Sequence, residues 1–517
     1  MKLIIIAALA LFFFSVNVPE VLSQENEPKG ASFDCINALI EILREKNIID
    51  QKEADKFILR YKQQTIEQGK KRITLVSEEK EGENFERIRE NFAKEIKKDV
   101  HAQVNRYMEK EVKKEVAKEV GRRSEKFAAP AWANRIRWGG DMRLRYESNL
   151  FDENNGEFLK PGDPDKLMNS KNDRHRMRVR VRLKTEAKVN DTLTAAVRIA
   201  TGNDKTPVSN NETLGDYEKY DDFMIQEAYL KWEPVEYLTL YGGKIPNPWF
   251  CSDLVWDNDV RLEGAALQFE TKSSQPINYF INMGAFPIEE EEFFSRDKWL
   301  IGGQIGFKIN PVDKIEFKIG AAYYDYINIE GEKNDPTMPE EMDYTMPGFQ
   351  QKGNTLMDID PSGDYKLALA SDYDELNITG RLDLAFFDPV HIVFLGDYVK
   401  NIGFDKNEVA KKTGNPDPDK ETDGYQVGIT VGYPTLKKAW DWQTSLFYKR
   451  LEADAVLDAF TDSDFHLGGT NAKGWILGGE LGVADNCWLR LRWFTTDEIK
   501  GPQFAEDTLQ MDINARY

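Results

Sequence analysis

The sequence has few cysteines and no long apolar run beyond its first residues. Its 517 residues include three cysteines, and the spacing of Cys35, Cys251 and Cys487 fits neither a zinc site nor a disulfide framework. After the N-terminal segment, no stretch reaches the ~18 consecutive apolar residues that a membrane-spanning helix needs. These shortages exclude a disulfide-stabilised scaffold and a helical membrane protein.

Positive charge is also scarce, and the usual marks of an enzyme are missing. The chain has 69 Lys and Arg against 89 Asp and Glu, so its net charge is −20. This balance argues against nucleic-acid binding, which needs a basic face. The sequence has four histidines, no Gly-x-Ser-x-Gly nucleophile elbow and no Walker phosphate loop. We therefore expect no catalytic residues, no cofactor and no nucleic-acid partner.

The first residues predict export from the cytoplasm. Lys2 precedes an unbroken apolar run from Leu3 to Phe14, and Val21 and Ser23 stand at the −3 and −1 positions of a cleavage site. This pattern is typical of a signal peptide over residues 1–23. A buried N-terminal helix is the alternative, but polar and helix-breaking residues after position 16 argue against it.

Residues 24–131 predict a small α-helical region, which lies in the periplasm if the rest of the chain occupies the outer membrane. Its main feature is a long charged helix over 85–127, with apolar residues at every fourth position from Ile88 to Val120. A spacing of four drifts by ~40° per step on a helix of 3.6 residues per turn, whereas a heptad coiled coil needs 3.5. The segment is therefore either an oligomerising or wall-binding stalk, or a solvated helix without a regular seam.

From residue 132 onward the apolar period changes from helical to alternating. In Arg176–Lys184, Met177, Val179, Val181 and Leu183 share one face and five cations share the other. Such alternation predicts half-buried β-strands. It recurs in sixteen segments: roughly 138–147, 174–188, 191–201, 223–233, 237–245, 261–271, 277–286, 299–309, 313–324, 375–386, 390–401, 424–433, 440–452, 473–483, 487–496 and 508–517.

The connections between these segments alternate between short turns and long polar loops. Aromatic residues make up 12% of the chain, and several of them fall near segment ends, where membrane-interface girdles belong. An even number of ~10-residue strands with this rhythm is the signature of an outer-membrane barrel. We therefore predict an all-β, transmembrane, antiparallel barrel of about 16 strands over residues 132–517.

The segment Trp132–Glu147, following a signal peptide and a helical region, resembles the opening of the outer-membrane porins of Gram-negative bacteria. The resemblance implies a passive diffusion channel for small hydrophilic solutes and ions, in contact with outer-membrane lipid and lipopolysaccharide. It also implies a homo-oligomer, such as a trimer, and leaves the helical region free to contact peptidoglycan. Proteins of this class end in an aromatic residue that the barrel-assembly machinery reads. The matching signal here comprises Leu509, Met511, Ile513, Ala515 and Tyr517.

Alternation also assigns the polar face of each strand to the lumen. A charged side chain facing lipid at the bilayer midplane costs about 2–4 kcal/mol, so the cations of the first three strands must point inward. They form a predicted basic wall: Arg143, Arg145, Arg176, Arg178, Arg180, Arg182, Lys184 and Arg198. Because arginine forks suit phosphate, an anion- or phosphate-selective porin is a sharper alternative.

The loop 246–260 is the predicted constriction. In sixteen-stranded porins the loop at this position folds into the barrel and bears carboxylates, a part that Asp253, Asp257 and Asp259 would play by resemblance. Such carboxylates would set up a field across the lumen. Alternatively, they are ordinary surface-loop residues, and the arginines pair with other acids in the lumen.

Two further alternatives remain open from the sequence. The long loop 325–374 could plug the barrel, in which case the protein is a structural barrel that its helical region tethers to the cell wall. Within this loop, Asp358, Asp360, Ser362 and Asp364 match the first half of a calcium loop, but position 12 is Leu369 rather than Glu. A plain acidic turn is therefore favoured, and we expect no bound metal.

Overall fold

The computed structural model describes residues 133–271, 276–291, 296–338, 340–360 and 365–517. The predicted signal peptide over 1–23 and the predicted helical region over 24–131 lie outside the described residues. The described part of the chain is therefore the β region.

Sixteen long strands make up this region. They are β1 (Ile136–Phe151), β2 (Arg174–Lys188), β3 (Leu193–Thr201), β4 (Phe223–Val235), β5 (Leu238–Pro246), β6 (Arg261–Glu270), β7 (Ile277–Glu289), β8 (Lys298–Val312), β9 (Ile315–Ile327), β10 (Asp374–Phe387), β11 (Val390–Asn401), β12 (Asp423–Gly432), β13 (Trp442–Leu451), β14 (Ala472–Ala484), β15 (Cys487–Glu498) and β16 (Ala505–Arg516). Each matches one predicted segment, and several run a few residues further because the strand pairing continues there.

The strands close into one antiparallel barrel. Each pairs with the next along the chain, and β1 also pairs with β16 in a register that runs from Asp141 opposite Arg516 to Phe151 opposite Glu506. Closure leaves no unpaired sheet edge, which is what a spanning sheet requires in lipid. The prediction of a sixteen-stranded antiparallel barrel is confirmed.

The two faces of the wall differ as the alternation predicts. On β2, Met177 and Leu183 are exposed on the outer face, and the arginines between them point inward. On β8, Ile305 is 62% exposed whereas its neighbour Gln304 is 1% exposed. The outer face is therefore apolar and suited to lipid, and the inner face is polar.

The two ends of the barrel also differ. Short turns join the strands at one end, where β1 begins and β16 ends. The opposite end carries the long loops, which contain α1 (Lys406–Thr413). Their short strands are Leu159–Lys160, Asp163–Leu167, Glu212–Thr213, Leu356–Asp358 and Leu367–Leu369. The 3-10 helices are Ala133–Arg135, which precedes β1, and Asp343–Thr345, Asp458–Phe460 and Phe465–Leu467 in the loops. No helix among the described residues has the length and apolar content to cross a membrane.

Three loops at this end pack together rather than standing in solvent. They are 247–260, 328–373 and 452–471, which we call the loop unit. An apolar cluster joins them to inward-facing wall residues and includes Leu254, Trp256, Tyr373, Val456 and Leu457, all buried. Trp256 packs edge-on against Tyr324 of β9, with ring centroids 5.4 Å apart. The barrel therefore has an apolar core of its own, built by the loop unit.

Candidate functional site

The charged face of the lumen is centred on β1 and β2. Their register places four inward pairs side by side: Asp141 opposite Arg182, Arg143 opposite Arg180, Arg145 opposite Arg178, and Glu147 opposite Arg176. Side chains directly opposite on one sheet face lie close enough to interact strongly. We call the six arginines of these rows the arginine wall. They belong to the predicted basic wall, and the structure brings them together.

Arg145 holds the centre of the arginine wall and is fully buried. Its guanidinium makes two parallel bonds to Asp512 of β16, Nε to Oδ1 at 2.7 Å and Nη2 to Oδ2 at 3.0 Å. Its third nitrogen, Nη1, lies 3.1 Å from Asp464 of the loop unit. A two-bond fork of this kind is among the strong charge-assisted hydrogen bonds, so Arg145 ties a loop to two strands.

The arginines of β2 are held by acids at both ends of the wall. Arg176 donates from Nε to Glu147 at 2.7 Å, and Arg178 lies 3.4 Å from the same carboxylate. At the other end, Arg180 and Arg182 both bond Asp141, at 3.0 and 2.9 Å. Shared carboxylates therefore fix the direction of each guanidinium.

The remaining cations of the predicted basic wall form a neighbouring cluster around Glu227 of β4. Arg198 of β3 and Arg261 of β6 lie 2.7 and 2.8 Å from its Oε1, and Lys184 lies 3.3 Å from its Oε2. Lys184 also donates to the Tyr229 hydroxyl at 3.1 Å. Glu227 therefore links cations from β2, β3 and β6 to β4.

The loop 247–260 runs through the interior of the barrel. Phe250 donates its backbone N–H to Gln304 of β8 at 2.8 Å, and Ser252 donates its backbone N–H to Asp397 of β11 at 3.0 Å. Both acceptors face inward, on strands two and five places beyond β6, whereas the loop itself joins β5 to β6. The loop therefore lies across the lumen.

The three aspartates of this loop have different partners. Asp259 lies 3.2 Å from Arg182 and 3.9 Å from Arg180. Asp253 lies 3.3 Å from Lys449 of β13, and Asp257 accepts from the backbone N–H of Ser463 at 2.9 Å. Asp259 thus reaches the arginine wall, whereas Asp253 contacts β13, four strands from β1 in the ring, and Asp257 contacts another loop.

The ionisation of these aspartates differs accordingly. Burial alone would raise the pKa of Asp259, but the charges of Arg180 and Arg182 outweigh it and lower that pKa. Burial, followed by the charges of Asp259 and Asp462, raises the pKa of Asp257 well above its usual range. Asp259 is therefore the anion that faces the arginines, and Asp257 is favoured in its neutral form.

The other two loops of the loop unit are joined by hydrogen bonds from side-chain amides to backbone carbonyls. Asn354 donates from Nδ2 to the carbonyls of Ala453 at 2.7 Å and Val456 at 2.9 Å. Gln351 donates to the Asp458 carbonyl at 2.7 Å. Several hydrogen bonds therefore hold loops 328–373 and 452–471 together.

Loop 328–373 also extends across the long-loop end of the barrel. Lys298, the first residue of β8, donates to the Met346 carbonyl at 2.7 Å, and the Lys352 ammonium lies 5.1 Å from the ring of Phe504, just before β16. Strands β8 and β16 are diametrically opposed in a ring of sixteen. The loop thus spans the mouth of the barrel.

The other predicted residues lie away from the arginine wall. Asp358 Oδ1 accepts from the backbone N–H groups of Asp360 at 3.0 Å and Lys366 at 3.2 Å, and Ser362 and Asp364 lie outside the described residues. No group of three or more His, Cys, Asp or Glu side chains among the described residues could hold a metal ion. At the end of the barrel, Met511 and Ile513 point outward, and Tyr517 exchanges two backbone hydrogen bonds with Gly140, at 3.0 and 3.1 Å.

The sequence reasoning missed several partners of the arginine wall and of the neighbouring cations Lys184 and Arg198. Asp512 and Glu227 are inward-facing strand residues, so alternation alone could have identified them. Asp464 and Asn211 belong to loops, and no period marks them. Arg492 of β15, which bonds Asp464 and Gln510, also lies on the polar face of an alternating segment.

Solved structures that resemble this chain are outer-membrane porins. Pseudomonas putida OprB matches with a TM-score of 0.45 at 10% identity, over 74% of this chain and 95% of that chain. An anion-selective porin from Comamonas acidovorans gives 0.40 at 11% identity, over 74% and 99%. Salmonella typhi OmpF, in complex with daunomycin, gives 0.40 at 10% identity, over 74% and 97%. None of the curated proteins matches the sequence.

A family model extends over nearly the whole chain. The family is described as "Putative porin", and its model matches residues 34–517. This range includes the complete closed barrel, the arginine wall and the loop unit. The chain therefore belongs to this porin family, and its barrel is an outer-membrane channel.

Proposed function

We propose that this porin is a narrow, charge-selective diffusion channel, in which solutes pass along the arginine wall, beside its contact with Asp259 of loop 247–260. The observation that supports the proposal most directly is the opposition of Asp259 to Arg180 and Arg182 inside the lumen. Opposite charges fixed beside a narrow passage orient water and solute dipoles. The channel needs no catalytic group for this function.

The balance of fixed charge favours anions. Around the arginine wall, seven guanidinium groups contact five carboxylates, which leaves an excess of two positive charges. The net charge of −20 for the whole chain matters less, because bulk water screens surface charges within a Debye length of ~8 Å. Local charge acts at close range on a partly dehydrated solute. The preference is therefore for small anions.

Reversal potential under a salt gradient tests this selectivity. Replacing Arg178 and Arg180 together with glutamine should shift the reversal potential toward cations, and the shift should grow at low ionic strength. Lys314→Gln is the control. Lys314 is exposed in the short turn between β8 and β9, so this substitution removes a positive charge outside the lumen. An unchanged reversal potential at low salt in the double variant would contradict the proposal.

The loop unit limits the size of the passage. Its apolar core spans the lumen, and loop 328–373 extends from Lys298 to Phe504 across the mouth. This packing supports a finer proposal, that the channel has a lower conductance than an open sixteen-stranded barrel would allow. Single-channel recording in planar bilayers measures this directly, and a conductance as large as that of an unobstructed barrel would contradict it.

We also propose an orientation and a set of partners. The short-turn end faces the periplasm, because the chain enters β1 there after the predicted signal peptide over 1–23 and helical region over 24–131. The helical region would then contact peptidoglycan, and the outer face would meet lipid, lipopolysaccharide and other copies of the chain. Protease added to intact cells should cleave loop 402–422 and spare residues 24–131. Cleavage confined to 24–131 would reverse the orientation.

A further inference from the structure

The middle of the arginine wall contains two rows of like charge. Arg143 lies opposite Arg180, and Arg145 lies opposite Arg178, whereas the rows on either side each contain one acid. Like charges directly opposite each other on a sheet are destabilising. The two bonds from Arg145 to Asp512 offset the repulsion on Arg145, but Arg143 comes no closer than 3.9 Å to that carboxylate. Arg143 therefore has no carboxylate of the described residues within hydrogen-bond distance.

The same place lacks hydrogen-bond acceptors. The Nε–H groups of Arg143, Arg178 and Arg180 are buried, and no acceptor in the described part of the chain is within hydrogen-bond reach of them. Asn514 of β16 lies beside Arg143 in the register, and its Nδ2 is likewise without a partner among the described residues. Unpaired buried donors are rare in folded proteins and call for an explanation. Here the unpaired donors belong to side chains that are neighbours in the register of three adjacent strands.

The position of these donors is fixed by the surrounding structure. Arg143 donates from Nη2 to Asn211 Oδ1 at 2.5 Å, and Arg178 donates from Nη2 to the Asn211 carbonyl at 3.3 Å. Arg180 is held by Asp141 at 3.0 Å. Arg178 and Arg180 keep 12% and 13% of their side chains exposed, so part of each of these side chains borders the lumen.

We propose that Arg143, Arg178, Arg180 and Asn514 bind a small oxyanion, such as phosphate or the carboxylate of a solute. The inference rests on the proposed function, because it names the class of solute that stops at the arginine wall. An oxyanion brings several acceptor oxygens that point in different directions, so it can pair with donors from separate strands. It also offsets the excess of positive charge.

Calorimetric titration of the purified full-length protein with inorganic phosphate at low salt tests the site. The wild type should bind, and Arg143→Lys should weaken binding at least tenfold, because lysine keeps the charge but has no Nε–H fork. Asn514→Leu should weaken binding without any change of charge. Arg381→Lys is the matched control, since Arg381 faces the lumen from β10 and is paired with Asp383 at 2.8 Å.

Acetate and chloride titrations identify the chemistry. Binding of phosphate or acetate, but not of chloride, supports an oxyanion site, and the stronger of the two identifies the preferred group. The inference would be overturned if chloride gave the same heats as phosphate. It would also be overturned if wild-type protein that runs as a folded, heat-modifiable barrel bound no phosphate; water would then be the partner of these donors. Conductance in chloride, recorded on the same sample, tests the channel separately. If the protein conducts chloride but does not bind phosphate, only the proposed oxyanion site is contradicted. If it binds phosphate but does not conduct, only the proposed channel function is contradicted.

Discussion

Asp259 is the residue on which the balance of charge in the lumen depends. Its carboxylate adds to that of Asp141 in neutralising Arg180 and Arg182. Its lowered pKa keeps it ionised at neutral pH. Asp141 is a strand residue that bonds both arginines by itself, so the two guanidinium groups keep one partner when Asp259 is removed.

Asp259→Asn should therefore make the channel more anion-selective without unfolding the barrel. The amide keeps the size of the side chain and removes one negative charge from the passage, so the reversal potential should move toward anions, most strongly at low salt. Asp485→Asn makes the same change of charge in the exposed turn between β14 and β15 and should have no effect. A shift toward cations, or equal shifts in both variants, would be inconsistent with Asp259 facing the solute path.

Asp458 couples the loop unit to pH. Its side chain is 3% exposed, and burial, with a further contribution from Asp454, raises its pKa to about 7. The folded loop therefore favours the protonated form. The resulting stabilisation is complete below the unfolded pKa of ~3.9 and is lost as the pH rises through about 7. Burial of Lys352 lowers its pKa to about 8, so Lys352 affects stability mainly above pH 8, with the opposite sign.

The loop unit should consequently pack less firmly at pH 7.5 than at pH 6. We expect single-channel conductance to rise over this interval, after correction for the conductivity of the buffer. Asp458→Asn should flatten the response, because the amide stays neutral at both pH values. The same rise in the Asn variant would assign the pH dependence to another group.

Among the elements, the loops of the loop unit meet through glycines. A Cβ atom at Gly469 would lie 2.0 Å from the Lys352 carbonyl oxygen, and one at Gly353 would lie 2.5 Å from the Thr470 carbonyl oxygen. Both glycines have positive φ angles, +90° and +108°, which other residues adopt at a cost of ~1–2 kcal/mol. The close approach of loops 328–373 and 452–471 therefore depends on the absence of side chains.

Gly469→Ala should separate the two loops and enlarge the passage. We expect a higher single-channel conductance and faster protease cleavage within 328–373, while the barrel keeps its heat-modifiable mobility. Gly501→Ala is the matched control: its φ is +100°, but no atom lies within 4 Å of the added Cβ. If Gly501→Ala had the same effects, backbone strain rather than contact between the loops would be the cause.

The strands were predictable from the sequence because their signal is local. Alternation gave β2 at 174–188 and β11 at 390–401 with the bounds that the structure shows, and it assigned the lumen face of each. The loops follow no such period. Asn354 finds its acceptors about a hundred residues away, at Ala453 and Val456, and this pairing exists only once the barrel has brought the two loops to one end.

The arginine wall was predictable for the same reason, but its partners were predictable only in part. Inward alternation identifies Arg143 and Arg180 as lumen residues, whichever loop lies nearby. The partners Asp259 and Asp464, which contact Arg182 and Arg145, are delivered by loops from distant parts of the chain. The unpaired donors of the wall could therefore be seen only in the folded structure.

At the scale of the whole molecule, the barrel closes where its first and last strands meet. The backbone of Gly140 in β1 exchanges hydrogen bonds with Tyr517, immediately after β16, at 3.0 and 3.1 Å. A Cβ atom at Gly140 would lie 2.4 Å from the Arg182 carbonyl oxygen and 2.7 Å from the Tyr517 hydroxyl. The seam thus needs a glycine at this position, because backbone and ring approach from both sides.

Gly140→Ala should reduce the fraction of chains that reach the outer membrane as a closed, heat-modifiable barrel, because the added methyl group pushes β2 and Tyr517 away from β1. Gly303→Ala is the control, since Gly303 also lies on the outer face of a strand but has no atom within 4 Å of its added Cβ.

Tyr517→Phe keeps the ring and the backbone bonds and should assemble normally, whereas Tyr517→Asp places a charge against the lipid-facing seam and should accumulate in the periplasm. Because every strand of a closed barrel is held by two neighbours, a defect at this single seam leaves two open edges, which lipid cannot satisfy. Normal yields of heat-modifiable Gly140→Ala and Tyr517→Asp barrels would show that closure tolerates a poorly packed seam and that the terminal residue does not control assembly.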